Sequence, residues 1–395
     1  MSETLDVALL LGQFGTGGVE RVACHLANGF VENGHRTEMV VARRRGPAID
    51  LVHGDVPIVA LGKSPFSILG RGAALLGAIP SLTRYLRKRQ PKILLSPGNH
   101  THMAAAIAHS LAAGRTDLVI KITNPILKKK HGRFAHASRR LIYRWIFSRA
   151  KLILLLSPHG LQQVEEISPQ ALGKARVVHN PYIDEEIIRG SLDLPSTGNS
   201  LGTARMILAV GRLTKQKNYK LLLRAVARIT EQDWRLVFLG EGPQEAELRQ
   251  LVEQLGLTSR VEFAGFVSNP MIYYAVAYSL ALSSNYEDLP AVLLEALAAG
   301  MPVVATECSE AVASIMQAAN HGELVPLRDE AAFAAALSRV LGSPVERKPF
   351  VGAMDYTIVK GVADHLHAIQ SILPPEIMAP ESPVAVAQNA DRAIA

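Results

Sequence analysis

Short apolar runs recur along the chain, each closed by glycine or polar residues and followed by a longer stretch whose apolar positions have helical spacing. In the first half the strand-like runs are Leu5 to Leu11, Thr37 to Ala42, Ile58 to Leu61, Ile93 to Leu95, Leu118 to Ile122 and Leu152 to Leu156. Helices are predicted between them, notably at Val19 to Glu32, Ser67 to Arg89 and Ala135 to Arg149. The second half repeats the pattern, with strands Met206 to Val210, Arg235 to Leu239, Val261 to Ala264 and Tyr278 to Leu282, and helices Tyr219 to Ile229 and Gln244 to Leu255. Strands apolar throughout belong to sheets covered on both faces, and their alternation with helices makes those sheets parallel. The expected fold class is α/β, with two Rossmann-like, doubly wound parallel-sheet domains.

Between Asn180 and Thr203 the sequence turns polar and rich in turn residues, ending PSTGNSLGT, which marks a linker. The expected domains are residues 1–195 and 203–350, followed by a segment over 351–373 with a last helix from about Tyr356 to Leu373, and a tail, 374–395, without a regular apolar pattern. A length of 395 residues suits two cores better than one.

Charge adds an asymmetry. Residues 1–195 carry 26 Lys and Arg against 14 Asp and Glu, and the remainder 16 against 21. The basic first half is expected to meet an anionic partner. Arg84, Arg87, Lys88 and Arg89, then Lys128, Lys129, Lys130, Arg133, Arg139, Arg140, Arg144, Arg149 and Lys151, form clusters that suit either a solvated face or anionic lipid. Only Cys24 and Cys308 are present, so no disulfide framework is expected and a reducing, cytoplasmic compartment is the simplest inference. No secretory signal and no membrane-spanning segment are expected, because the first apolar run lacks a basic region ahead of it and charges such as Arg71 and Lys151 interrupt the longest ones.

The chemistry concentrates in two places. Leu5 to Leu11 runs into a loop with Gly12, Gly15, Gly17 and Gly18 and then a helix, an arrangement that lets phosphate approach a helix N-terminus, although the dinucleotide spacing fails at Glu20. In the second half Val210-Gly211-Arg212-Leu213 ends a strand and Lys217 precedes a helix. Gly211 permits close approach, and Arg212 and Lys217 offer a planar fork and a point charge suited to a pyrophosphate. Further on, SSNYEDLPAVLLEALAAGMPVVAT begins at Ser283, with Glu287 in a strand-to-helix loop and Glu295 in an apolar helix opened by Pro290 and stopped at Gly300. Either acid alone could be only a dipole partner. No Asp-x-Asp occurs to hold a divalent metal, and the histidines show no metal-ligand spacing, so no metal or cofactor is expected.

Taken in order, Gly-Arg-Leu-x3-Lys-Asn from Gly211, Gly240-Glu241-Gly242-Pro243 and Glu-x7-Glu from Glu287, with the following Ala-Ala-Gly-x-Pro-Val-Val-Ala-Thr, resemble the nucleotide-sugar site of the family-four glycosyltransferases. The resemblance extends over residues 205–341 and, through Gly17-Gly18-Val19-Glu20-Arg21, over 5–35. It implies a GT-B fold whose two domains face across a cleft, a last helix that crosses back to the first domain, and retaining transfer of a hexose from a nucleoside-diphosphate sugar. By resemblance Glu287 lies at the donor sugar, Glu295 binds the ribose hydroxyls, and Gly17, Gly18, Gly211, Glu241, Asp288 and Leu289 contact substrate. Arg212 and Lys217 would stabilise the departing diphosphate in place of a metal. Asp288 stands where the family usually has glycine. The acceptor-side histidine of the family is missing at Ile122-Thr123-Asn124, leaving His100 or Asn124 as substitutes, and Ser309 replaces a glycine-rich diphosphate turn. The implied acceptor is a glycan or lipid-linked intermediate of lipopolysaccharide or exopolysaccharide synthesis, with peripheral membrane contact and no nucleic acid. The alternatives are a nucleotide-sugar 2-epimerase and a non-catalytic nucleotide-sugar-binding protein.

Overall fold

A computed structural model describes residues 7–15, 17–62, 75–127, 132–185, 204–230, 233–267, 270–344 and 347–373. The start of the helix predicted from Ser67, Lys128 to Lys130 with His131, most of the linker, and the tail lie outside these residues. Residues 1–180 together with those from Gly361 on form one compact unit, and Pro181–Lys360 form a second. The chain passes from the first unit to the second between Asn180 and Pro181, at the start of the polar stretch.

The first unit holds seven strands: β1 Val7–Leu11, β2 Thr37–Val41, β3 Ile58–Ala60, β4 Ile93–Ser96, β5 Asp117–Ile122, β6 Leu152–Leu155 and β7 Ala175–Val177. They pair in the order β3-β2-β1-β4-β5-β6-β7, every pair parallel. Apolar residues fill both faces because successive side chains point to opposite sides. Ala8 and Leu10, Leu94, Ile120 and Ile122, and Ile153 and Leu155 share one core cluster. Leu9, Leu11, Leu95 and Val119, the alternate positions, are also buried.

The second unit holds β8 Arg205–Val210, β9 Trp234–Leu239, β10 Val261–Phe263, β11 Ser279–Leu282, β12 Val303–Thr306 and β13 Gly322–Val325, in the order β10-β9-β8-β11-β12-β13 and again all parallel. Its two faces are two distinct cores. Ile207, Ala209, Leu236 and Phe238 belong to one, and Met206, Leu208, Val237 and Leu239 to the other. In each sheet the winding reverses between two adjacent strands, β1 and β4 in the first and β8 and β11 in the second. Loops leaving the carboxyl ends of such a pair diverge to opposite faces and open a crevice between them.

The helix expected from about Tyr356 to Leu373 runs Ile358–Gln370 and follows a 3-10 turn, Val351–Tyr356. The join between turn and helix has a local cause. The amides of Tyr182 and Ile183 both donate to the Tyr356 carbonyl, and Ile183 bridges Thr357 in parallel, holding the chain extended there. From Gly361 the helix belongs to the first unit. A methyl group added to Gly29, in the helix Gly18–Glu32, would sit 2.5 Å from Val362. Further along, the fully buried His365 meets the fully buried Lys121 of β5. Lys121 Nζ donates to Asn180 Oδ1 at 2.9 Å and lies 3.4 Å from His365 Nε2, while His365 Nδ1 lies 2.7 Å from the Gly361 carbonyl. A carbonyl only accepts, so Nδ1 carries the proton and Nε2 accepts from the lysine. Burial pulls Lys121 down to about 7 and holds His365 well below the usual histidine range.

Candidate functional site

The loops of the β8/β11 reversal carry the sequence-predicted cluster. After β8 the chain passes Gly211 and Arg212 and reaches Lys217 at the mouth of the helix Tyr219–Val226. After β11 it passes Ser283 to Asp288 before the helix Ala291–Ala298. Polar residues bind the two loops together. Asn285 donates through its amide to the Gln216 carbonyl and through Nδ2 to the Lys215 carbonyl, both at 2.7 Å. Ser283 Oγ donates to the Lys217 carbonyl at 2.8 Å. Asn218 turns the chain into the helix with φ of 50°, a left-handed conformation that asparagine tolerates better than most residues.

At the centre Lys217 Nζ donates to Glu287 Oε1 at 2.8 Å, with side-chain exposures of only 16% and 10%. Ser284 Oγ donates to the same oxygen at 2.8 Å, and Gln216 Nε2 to the other at 3.2 Å. The carboxylate is thus paired and hydrogen-bonded on both oxygens, which a largely desolvated charge requires. Its field is felt nearby. Burial first and Glu287 second push the Cys308 thiol up to about 12, and the same two causes, in that order, hold the Tyr219 phenol protonated.

Gly211 has φ of 141°, and a methyl group there would lie 2.8 Å from Lys217 Cε. Glycine is what lets the lysine cross above the strand end. The Gly240-Glu241-Gly242 turn braces this loop through main chain. Leu213 donates to the Glu241 carbonyl, Gln244 donates to the Leu213 carbonyl, and side chains on Gly240 or Gly242 would strike the Gly211 and Leu213 carbonyls at 2.3 Å. Glu241 itself is exposed. So is Arg212, whose guanidinium has no side-chain partner among the described residues and is free to meet an anion.

Glu295 stands deeper than the sequence implies. It is 1% exposed, and its Oε2 accepts from Tyr274 Oη at 2.8 Å. Arg347 fixes this region by donating to the carbonyls of Tyr274, Ala275, Ala277 and Ala299 at 2.7–3.1 Å, tying the ends of the helices Met271–Val276 and Ala291–Ala298 together. Leu289 is buried and its carbonyl accepts from Tyr182 Oη at 3.2 Å, whereas Asp288 is half-buried. Ser309 caps the helix Glu310–Ala319, accepting from the Val312 amide and donating to the Asp288 carbonyl.

In the first unit Gly17 is the N-cap of the helix Gly18–Glu32, directly after β1, and a methyl on Gly18 would meet open space. Asn99 accepts from the Thr123 amide and donates to the Asn124 carbonyl, joining the loops after β4 and β5, so His100 and Asn124 stand at neighbouring strand ends. Ser284 and Asn285 lie in the polar stretch that the sequence places at this strand end, whereas Gln216, Tyr219 and Tyr274 are not marked as site residues by it. For Gln216 a signal existed, a polar residue beside the motif; nothing marks the two tyrosines. Among the described residues no group of three or more His, Cys, Asp or Glu could hold a metal ion, and no described helix is long and apolar enough to cross a membrane.

Comparison with known proteins adds to this geometry. Residues 195–352 match the family model described as glycosyl transferases group 1, and residues 17–181 match a glycosyl transferase 4-like domain. The Campylobacter jejuni N-acetylgalactosamine-N,N'-diacetylbacillosaminyl-diphospho-undecaprenol 4-alpha-N-acetylgalactosaminyltransferase is 30% identical over 62% of this chain, which spans 66% of that relative, just under two thirds of its length. A lipopolysaccharide core biosynthesis glycosyltransferase of Rhizobium meliloti, LpsE, is 26% identical over 82% of this chain and 86% of its own length. Anabaena HepE, solved in complex with UDP and glucose, superposes with a TM-score of 0.76 at 18% identity, covering 93% of this chain and 100% of that one. At that identity the likeness is one of fold, two parallel-sheet α/β domains of the GT-B class. The epimerase alternative is not favoured by these relatives.

Proposed function

The chain belongs to the group 1, 4-like glycosyltransferases, and from that premise we propose that it moves a hexose from a nucleoside-diphosphate sugar to a glycan or lipid-linked acceptor, retaining the anomeric configuration. The observation that carries this reading is the Lys217–Glu287 pair at the β8/β11 reversal, beside Gly211 and the exposed Arg212. In the proposed step the donor's bond between the anomeric carbon and the phosphate oxygen breaks, its electron pair stays on the diphosphate, and the acceptor hydroxyl oxygen bonds to that carbon and gives its proton to the departing diphosphate. Negative charge grows on the distal phosphate as the bond breaks. Arg212 and Lys217, fixed cations near a glycine that permits close approach, stabilise that charge more in the transition state than in the ground state. Glu287, released from Lys217, accepts hydroxyls of the donor sugar, and Glu295 accepts those of the ribose, as it accepts the Tyr274 hydroxyl here.

The acceptor side is assigned to Gly17 and Gly18 with the neighbouring loops of His100 and Asn124. Peripheral contact with anionic lipid is assigned to the helix Arg133–Arg149, where Phe134, Leu141 and Ile142 are 89%, 68% and 40% exposed beside the exposed Arg139, Arg140 and Arg144. Apolar wedges among cations suit a headgroup layer. The test is incubation with a panel of nucleotide sugars and lipid-linked acceptors, with the product's anomeric configuration read by NMR. Nucleoside-diphosphate release without a glycosylated product, or an inverted linkage, would overturn transfer or retention respectively.

A further inference from the structure

Tyr219 is the first residue of the helix that follows Lys217 and is 3% exposed. Its ring packs edge-on against Phe238, with centroids 4.9 Å apart. Its hydroxyl is buried and has no hydrogen-bond partner among the described residues. An unpaired buried hydroxyl is costly, and phenylalanine would fill the same space without that cost. The hydroxyl is not buried at random. A methyl group placed on Gly211 would lie 3.1 Å from Tyr219 Oη and 3.4 Å from Lys217 Nζ, so the phenol and the ammonium approach the same point above the strand end. In this structure the ammonium is spent on Glu287.

We infer that Tyr219 is a positioning residue of the donor site: its hydroxyl oxygen accepts a hydrogen bond from the Lys217 ammonium when a donor diphosphate draws that ammonium off Glu287. The inference rests on the glycosyltransfer reading of this loop pair. Lysine is a point charge on a flexible stem with three donors, and one contact to a phosphate leaves it free to swing. A second, fixed acceptor on the ring of an anchored tyrosine restrains it over Gly211. Edge packing on Phe238 fixes the ring, and the retained phenolic proton leaves the oxygen's lone pairs available to Lys217.

The experiment compares the unaltered chain, Tyr219→Phe, Lys217→Gln and the double variant, measuring Tm and calorimetric binding of UDP, GDP and ADP. Tyr219→Phe should keep or slightly raise Tm, because it removes a hydroxyl that bonds to nothing in the free protein. It should also weaken the diphosphate that the unaltered chain binds best by roughly tenfold, the scale of one hydrogen bond to a charged group. In the Lys217→Gln background the same change should have no further effect on binding, since the group it positions is gone. A merely structural tyrosine would lower Tm and weaken binding equally in both backgrounds, and that result would overturn the inference. Normal binding by Tyr219→Phe with impaired Lys217→Gln would overturn it while leaving the donor-site reading intact. Normal binding by Lys217→Gln, or no diphosphate bound by the unaltered chain, would remove both.

Discussion

At the scale of single residues, the candidate site shows carboxylates already occupied by protein donors, which on the proposed reading a substrate would displace. Glu287 holds Lys217, Ser284 and Gln216, and Glu295 holds Tyr274. On the proposed reading, ribose hydroxyls would reach the Glu295 carboxylate beside or in place of the Tyr274 hydroxyl. Glu295→Gln is therefore expected to weaken nucleoside-diphosphate binding by about 1 to 3 kcal/mol, measured by calorimetry; unchanged affinity would remove it from the site. For Glu287 the exchange involves its ion-pair partner. If Arg212 and Lys217 supply the charge compensation, transfer continues in the presence of chelator, and Lys217→Gln lowers turnover at saturating donor by about a hundredfold. Loss of activity to chelator with recovery on added magnesium, and normal turnover in the variant, would assign the compensation elsewhere. Lys217→Ala is the poorer probe, because it removes the hydrogen-bond donor as well as the charge from beside a carboxylate only 10% exposed and loses more stability along with rate.

At the scale of elements, the strand and helix starts were legible because they depend on local pattern. Met206 to Val210 and Tyr278 to Leu282 are apolar runs that end where backbone must turn, and the strands Arg205–Val210 and Ser279–Leu282 differ from them by one residue at most. The resemblance carried by Gly211, Lys217, Glu287 and Glu295 named the family that the wider comparison reached. What escaped the sequence were features set by contacts far along the chain. The Tyr356 carbonyl before the last helix is held by the amides of Tyr182 and Ile183, and the Glu295 carboxylate is met by the Tyr274 hydroxyl. Arg347 is such a case: an isolated arginine in a turn-rich stretch donates to four carbonyls that end two helices. Arg347→Met should cost about 3 kcal/mol, because it leaves unpaired the carbonyls of four residues, three of them buried, and urea unfolding would show it. A change under 0.5 kcal/mol would mean that water replaces the arginine. The basic helix makes its own prediction. Phe134→Ser with Leu141→Ser should lower binding to vesicles rich in anionic lipid while leaving Tm unchanged, and added salt should lower it further. Equal binding of the unaltered chain to neutral vesicles would contradict the assignment.

At the scale of the whole molecule, the buried bases of the first unit tie stability to pH. Lys121 titrates near 7 when folded and near 10.5 when unfolded, so between those values the unfolded chain holds the extra proton and stability rises with pH. Below about 7 both states are protonated and its slope vanishes. His102, pulled down to about 4 by burial from 6.5, acts with the same sign over that lower window, and so does His365. Tm should climb from pH 4 to 6.5 and again from 7 to 10. Lys121→Met should flatten the upper climb and, by removing a cation that lowers His365, also soften the lower one, a comparison for scanning calorimetry. A wild-type Tm that falls between pH 7 and 10 would show that the lysine is not buried in its neutral form.

The pairing of Lys121 and Asn180 with His365 also has a meaning in time. A ribosome delivers residues 1–180 long before Gly361, and at some five to twenty residues per second the interval lasts on the order of ten seconds or more. During it the newborn first sheet lacks the helix that brings Val362 onto Gly29 and His365 onto Lys121. The second unit, contiguous from Pro181 to Lys360, waits for nothing that comes after it. The part of the chain made later can thus be the part finished earlier, and the emergence of Val362 and His365 becomes the moment at which the first unit closes.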